Sequence, residues 1–305
     1  MKSRFMDTNN TTVMNPIGQV RILPIPYNAT TTFVTGTGAR SGPEAIIESS
    51  ARVETFDEEL AWDSTEFMHF FVEDAIPFNI GSVESMMGDI QKTANQLLAT
   101  GDFLFSLGGE HSISVPLVKA HLRRYPDLHV IQIDAHPDVL DSQHQNRNSH
   151  GCITRRVLEL GVPVTQIGIR IISAEEYEFL NSDHGFPLHT FMASFLKKKG
   201  NFKKLLQHLT QDIKGPVYLN VDVDGIDPSV IPATGEPGPG GLTWYEMLEI
   251  IHTLSSKQDV VGADMVEFAP IPGLHYVDFA AAKLCYKIIS HIYYNRWKSN
   301  GAERK

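Results

Sequence analysis

Asp134, His136 and Asp138 occupy alternate positions directly after the apolar run VIQI (130–133). Residues i, i+2 and i+4 of an extended segment share one face, so these three side chains point the same way. The pattern returns at Asp222 and Asp224 after YLNV, while Glu110-His111 follow LFSLGG and Glu267 closes a run ending in MV. Four carboxylates brought together (Asp134, Asp138, Asp222 and Asp224) would repel and could not all stay ionised unaided. Two divalent cations would balance their four negative charges, and His111 and His136 would add neutral nitrogen donors. A carboxylate-rich set of this kind favours a hard or borderline ion such as Mn²⁺, and Zn²⁺, Fe²⁺ or Co²⁺ accept the same ligand types. Two ions about 3.5–4 Å apart can hold a bridging water and lower its pKa toward neutrality. Taken singly, D-x-H-x-D and D-x-D are more often solvated strand ends or helix caps. Several strands ending in ligand-type residues together point to a dinuclear site.

The elements that must position these residues follow from the apolar runs. VRILPIPY (20–27), DFLFSLGG (102–109), LHVIQIDA (128–135), VTQIGIR (164–170), PVYLNVDV (216–223) and DVVGADMVEF (259–268) read as strands. They are almost continuously apolar, as strands of a parallel sheet covered on both faces are. Helical segments lie between them. Ser173 with Glu176 and Thr243 with Glu246 form capping boxes, and Pro43 fits the first turn of a helix after a Gly/Thr-rich loop. That loop, Gly36 to Gly42, lacks the Gly-Lys-Ser/Thr ending of a phosphate cradle and reads as a structural turn. Strands alternating with helices predict an α/β fold in which ligands bind beyond the carboxyl ends of the strands. Residues 1–16 are polar and are expected to form a flexible arm, with residues 17–305 forming one catalytic domain.

The totals narrow the partners. The chain has 305 residues and a formal net charge of -10, with 26 Lys+Arg against 36 Asp+Glu. The acidic balance disfavours nucleic acid, whose phosphates need clustered cations, and suits a cationic substrate. Cys152 and Cys285 are the only cysteines, too few for a disulfide framework, and the opening MKSRFMDTNNTTVMNP has no apolar signal-like core. No apolar run is long enough to span a bilayer. The expected location is therefore the cytoplasm.

GGEHS (108–112), DAHPD (134–138), SHG (149–151), NVDVDGIDPSVIPATGEPGPGGLT (220–243) and VEFAP (266–270), with GARSGPEAI (38–46) ahead of them, resemble the ureohydrolase family of arginases and agmatinases. The motifs occur in family order across most of the chain. The resemblance implies a three-layer α/β/α sandwich with a mainly parallel sheet and two Mn²⁺ per chain. One ion would take His111, Asp134, Asp138 and Asp222, and the other Asp134, His136, Asp222 and Asp224, with Asp134 and Asp222 bridging. It also implies attack by an activated water on a guanidinium carbon. Glu267 would pair with the guanidinium, His150 would shuttle a proton to the leaving amine, and Asp224 would relay the water's proton. Without the resemblance, His150 reads as a solvated loop histidine. The family commonly assembles as trimers or hexamers, so a homo-oligomer is expected.

Departures from the arginase pattern bear on the substrate. Val139-Leu140 stand where arginases carry an Asn for the substrate's α-carboxylate, and Ile171-Ile172-Ser173 stand where they carry acids for its α-amino group. The sequence thus looks most like the agmatinase branch, which turns agmatine into putrescine and urea. 4-Guanidinobutyrate, guanidinopropionate and guanidine are alternative substrates. Arg147 could bind a substrate carboxylate or be a solvated rim charge. His144 and His275 are candidates for the mouth of the site, whereas His121, His129, His208, His252 and His291 read as structural. Cys152 reads as a small packing residue. A one-zinc deacetylase-type amidohydrolase and a non-catalytic relative are the readings from other classes; the full set of six ligand-type residues opposes both.

Overall fold

In the computed structural model, residues 4–7, 13–30 and 34–299 are described. Eight strands form one sheet: β1 (Gly18–Ile25), β4 (Met68–Val72), β5 (Phe103–Gly108), β6 (His129–Ile133), β7 (Val164–Ile169), β8 (Leu188–Met192), β9 (Val217–Asp222) and β10 (Val260–Val266). Their spatial order is β4-β1-β5-β10-β9-β6-β7-β8, and each of the seven pairings is parallel. A separate small antiparallel hairpin pairs β2 (Phe56–Asp57) with β3 (Trp62–Asp63).

The continuous apolar runs are explained by cover on both faces. Within β5, Phe103, Phe105 and Leu107 enter one core while Leu104 enters the other; within β9, Val217, Leu219 and Val221 oppose Tyr218 in the same way. The first core is capped by α1 (Gly42–Ser50), α7 (Asn201–Gln211), α8 (Trp244–Lys257) and α9 (His275–Ser299). The second is capped by α2 (Val83–Leu98), α3 (Ser114–Leu122) and α4 (Ile153–Glu159). This is the three-layer α/β/α sandwich. The remaining helices are α5 (Ala174–Asn181) and α6 (Ala193–Leu196). Both expected capping boxes are formed, at Ser173–Glu176 before α5 and at Thr243–Glu246 before α8, and Pro43 lies in the first turn of α1.

The six strands read from sequence are the interior ones and their nearest neighbours. β4 and β8, the two edges, were not read: both are short, half-buried and interrupted by His69 or by His189-Thr190. The polar N-terminal segment also departs from a loose arm where it is described. Phe5 and Met6 are buried, with Phe5 stacked on Phe70 and the Met6 amide donating to Ser50 Oγ at 2.9 Å. Residues 1–3 and 8–12 of that arm, and residues 31–33 ahead of the Gly36–Gly42 loop, lie outside the described residues.

Strand order decides where the chemistry goes. β5, β10, β9 and β6 are four consecutive neighbours at the centre of the sheet, and all run parallel. His111, Glu267, Asp222/Asp224 and Asp134/His136/Asp138 follow their carboxyl ends. Residues up to 156 apart in sequence therefore converge on one edge, at the position where doubly wound sheets bind ligands.

Candidate active site

The end of β6 supplies the centre of the cluster. Asp134 is fully buried and accepts on both oxygens, from the His136 amide (2.6 Å to Oδ1) and from Gln132 Nε2 (2.7 Å to Oδ2). After β9 the chain enters a short 3₁₀ turn, Val223–Gly225, whose Asp224 amide donates to Asp222 Oδ1 at 2.9 Å. Gly225 lets this turn press against β6, since a Cβ there would lie 2.6 Å from the Asp134 nitrogen. Asp224 Oδ1 in turn accepts from the Ala135 amide at 2.9 Å, tying the two strand ends together.

His111 stands among three of the carboxylates. Its Nδ1 is 3.3 Å from Asp134 Oδ2, 3.1 Å from Asp138 Oδ2 and 3.2 Å from Asp222 Oδ2. Its Nε2 lies 2.8 Å from Asn220 Oδ1, and Asn220 Nδ2 donates to Asp264 Oδ1 at 2.6 Å and to Ser114 Oγ at 3.1 Å. Asp264 thus fixes the amide, the amide oxygen takes the Nε2 proton, and the Nδ1 lone pair is left facing three carboxylates. A lone pair among anionic oxygens is repulsive unless a cation sits between them. At His136, Nδ1 is 2.9 Å from Asp224 Oδ2 and 3.7 Å from Asp134 Oδ1, and Nε2 lies 2.8 Å from Glu236 Oε2 but outside hydrogen-bond geometry. A ligating histidine held by a carboxylate or carbonyl at its other nitrogen is a familiar device of metal sites.

His111, Asp134 and Asp222 form one group able to hold a metal ion; Asp134, His136 and Asp224 form a second, with Asp134 in both. A third group, Asp57, Glu59 and His291, already has a cation, because Lys287 Nζ lies 2.9 Å from both Asp57 and Glu59.

The electrostatics agree with a site built for cations. Burial, then the charges of Asp222, Asp138 and Asp224, push Asp134 well above the carboxylate range. Burial and Asp224 push Asp222 up to about 7. Burial alone would lower His111 and His136, but Asp138 and Asp222 outweigh it at His111, and Asp224 and Glu236 at His136, so both are raised. Burial would raise Asp224, yet His136 draws it down to about 2. In the absence of metal, protons are the cations this cluster holds.

Glu267 and Asp138 reach the cluster from left-handed backbone, with φ of 60° and 50°. Such a conformation strains a residue other than glycine and is often found at functional sites. Glu267 Oε1 accepts from the His111 amide at 2.6 Å, and burial followed by the charges of Asp222 and Glu110 pushes its carboxyl well above the usual carboxylate range.

A cleft of about 240 Å³ opens over the cluster. Its floor includes His111, Asp138, Asp222, Asp224 and Glu267; Leu140, Ile171 and Ile172 are in its walls, with His150, Glu176 and Glu236. His136 also lines it, whereas among the described residues no lysine or arginine does. Arg147 is engaged instead by Asp141 at 2.9 Å and Glu159 at 3.0 Å, as a rim charge. His144 and His275 are not among the lining residues. Cys152 is fully buried, and burial pushes its thiol up to about 11, which suits packing rather than nucleophilic attack. Glu236, Asn220, Asp264 and Gln132 were not singled out from sequence. Three of them sit as lone polar residues inside apolar runs (VIQI, YLNV, VGADMV), which is the signal that marks them.

The Arginase family model matches residues 18–290. An N(1)-aminopropylagmatine ureohydrolase of Synechocystis sp. is 33% identical over 277 residues, covering 89% of this chain and 88% of its own. An agmatinase of Bacillus anthracis is 35% identical over 238 residues, covering 77% and 78%. The crystal structure of the agmatine ureohydrolase of Thermoplasma volcanium superposes with a TM-score of 0.81 at 27% identity, over 99% of this chain and 97% of that one. With six ligand-type residues gathered at one sheet edge and sequence similarity along nearly its whole length, the chain belongs to the arginase family and is an amidinohydrolase of the ureohydrolase type.

Proposed function

We propose that the chain hydrolyses the guanidino group of a linear, cationic guanidino amine, with agmatine giving putrescine and urea. The observation that carries this reading is the cleft itself. Acids line its floor and walls together with Leu140, Ile171 and Ile172, and among the described residues no lysine or arginine lines it. A substrate carboxylate, as in arginine or guanidinobutyrate, would be buried there without a partner, which is costly. An aminopropyl-extended agmatine is the second reading, favoured by Glu176 and Glu236 in the cleft wall, which offer carboxylates to a further ammonium.

In this proposal His111, Asp134, Asp138 and Asp222 hold one Mn²⁺, and Asp134, His136, Asp222 and Asp224 hold the other. When bound, the pair of ions supplies the positive charge that makes a water nucleophilic near neutral pH. Glu267 spends Oε1 on the His111 amide and offers Oε2 to the guanidinium, so charge-assisted hydrogen bonds orient the carbon to be attacked. Asp224 relays the proton released by the attacking water. His150, in the cleft wall, carries it to the departing amine, a task suited to an imidazole. Two buried free thiols, Cys152 and Cys285, are compatible with a reducing cytoplasm, and a homo-oligomer is expected from the family.

The test is a urea-release screen of Mn²⁺-loaded protein across agmatine, aminopropylagmatine, guanidinobutyrate, guanidinopropionate, guanidine and arginine. Turnover of the two carboxylate-free amines and not of arginine is expected. Equal or better turnover of arginine or guanidinobutyrate would overturn the reading.

A further inference from the structure

Two hydroxyl groups flank one nitrogen of His150, and both have already committed their protons. Thr30 Oγ1 donates to Glu110 Oε1 at 2.6 Å, and Ser149 Oγ donates to Gln143 Oε1 at 2.5 Å. Those same oxygens lie 3.4 Å and 3.3 Å from His150 Nδ1. With their hydrogens elsewhere, they can only accept from the ring. Thr30 Oγ1 also accepts the His150 backbone amide at 3.1 Å.

Glu110 is what makes this polarity fixed. It is fully buried, and among the described residues its two oxygens receive four donors: the Ala29 and Thr30 amides at 2.8 and 2.6 Å on Oε2, and the Thr30 and Ser112 hydroxyls, each at 2.6 Å, on Oε1. The two backbone donors cannot reverse, so Oε1 is left to the hydroxyls as an acceptor. The approach of loop and strand end depends on Gly109, where a Cβ would lie 2.0 Å from the Tyr27 carbonyl oxygen.

We infer that Glu110 and Thr30 are positioning residues that lock His150 as its Nδ1–H tautomer, so that the proton of the reaction is carried at Nε2 alone. This rests on the shuttle role proposed for His150. Protonated or neutral, the ring keeps its Nδ1 hydrogen on the same two acceptors. When Nε2 gives up its proton, the new N–H bond forms on the departing amine nitrogen and the ring returns to the neutral Nδ1–H form. The proton lost is replaced by the one released from the attacking water. No rotation of the imidazole separates the two steps.

Glu110→Gln inverts the polarity. Its amide oxygen must face the two backbone amides, so its NH₂ donates to Thr30 Oγ1, whose own hydrogen is then free to turn toward Nδ1. The experiment is ¹⁵N NMR of the imidazole nitrogens of His150, assigned with His150→Asn, in diamagnetic Zn²⁺-loaded protein, alongside Mn²⁺-loaded kinetics. The expected result is Nδ1–H in the parent and a shift toward Nε2–H in Glu110→Gln. The kcat of that variant should fall ~10-fold or more, up to the ~10²–10⁴-fold assigned to general acid–base catalysis, with KM and metal content near parental values. Thr30→Val should lower kcat and Thr30→Ser should restore it, which keeps the test open if Glu110→Gln does not fold. An Nε2–H parent, or Thr30→Val with unchanged kcat and tautomer, overturns the inference. A locked Nδ1–H ring combined with full activity in His150→Ala would instead sink the shuttle role and leave the lock standing.

Discussion

Replacing Asn220 by leucine tests the logic of the metal cluster without touching any group that would bind an ion. Leucine matches asparagine in shape but removes the acceptor 2.8 Å from His111 Nε2 and the donor 2.6 Å from Asp264 Oδ1. Asp264 loses that donor whether or not metal is bound and keeps Tyr218 OH at 2.8 Å, so this loss lowers the stability of both states alike. His111 behaves differently. In metal-free protein it can give up the proton on the stranded Nε2 and keep the one on Nδ1, which three carboxylates accept. In metal-loaded protein Nδ1 is the ligand atom, the proton must stay on Nε2, and a buried donor goes unmet at about 1–3 kcal/mol. That cost falls on the loaded state alone. At about 1.4 kcal/mol per tenfold it becomes a ~5–150-fold loss of Mn²⁺ affinity, in line with the ~10–100-fold found when second-sphere partners of ligands are removed. The assay is competition of Mn²⁺ against a chelating dye, with circular dichroism to confirm folding. A folded Asn220→Leu protein whose Mn²⁺ affinity stays within twofold of the parent would refute the claim that His111 binds through Nδ1 and is held by Asn220.

Asp134→Asn removes the carboxylate common to both ion groups, and its NH₂ must face either the His136 amide or Gln132 Nε2; metal analysis should find at least one ion lost and urea release nearly abolished, and two retained ions would contradict it. His150→Ala should keep both ions while kcat falls ~10²–10⁴-fold; loss of metal would assign it a different role. Metal-free protein should lose stability as pH rises from 5.5 to 8. Asp134 and Asp222 (about 7) are raised above their unfolded values, so the folded state binds more protons than the unfolded one above pH ~4, and raised His111 and His136 extend this above pH ~6.5. Asp224, lowered to about 2, acts in the opposite sense only below pH ~4. Thermal melts with EDTA and with Mn²⁺ measure this: a metal-free midpoint that climbs across that range, or a slope unaltered by Mn²⁺, would count against the cluster as drawn.

What could be read from sequence follows from how each residue is used. The central strands were legible because both their faces are buried, which writes an unbroken apolar run, and the acids beyond them stand out against it. β4 and β8 were not, because an edge strand keeps one side open and admits residues such as His69 and Thr190. Alternation within DAHPD predicts a shared face for Asp134, His136 and Asp138, but the strand stops at Ile133 and a bend with left-handed Asp138 brings them together, while their partners come from other strands. Asn220 meets His111 across 109 residues and Thr30 meets His150 across 120. No local periodicity encodes such pairs; they exist only through the strand order. The left-handed backbone at Asp138 and Glu267 was equally hidden, since nothing in their side chains calls for it.

β10, the last of the described strands in chain order, is not at an edge. β10 slots between β5 and β9. Until it does, the strand end bearing His111 has no neighbour to hold it against those bearing Asp134 and Asp222. A nascent chain stopped before residue 260 therefore owns all six ligand-type side chains and still has no nest for them. On this strand order the six side chains form a nest for a divalent ion only once β10 has seated between β5 and β9.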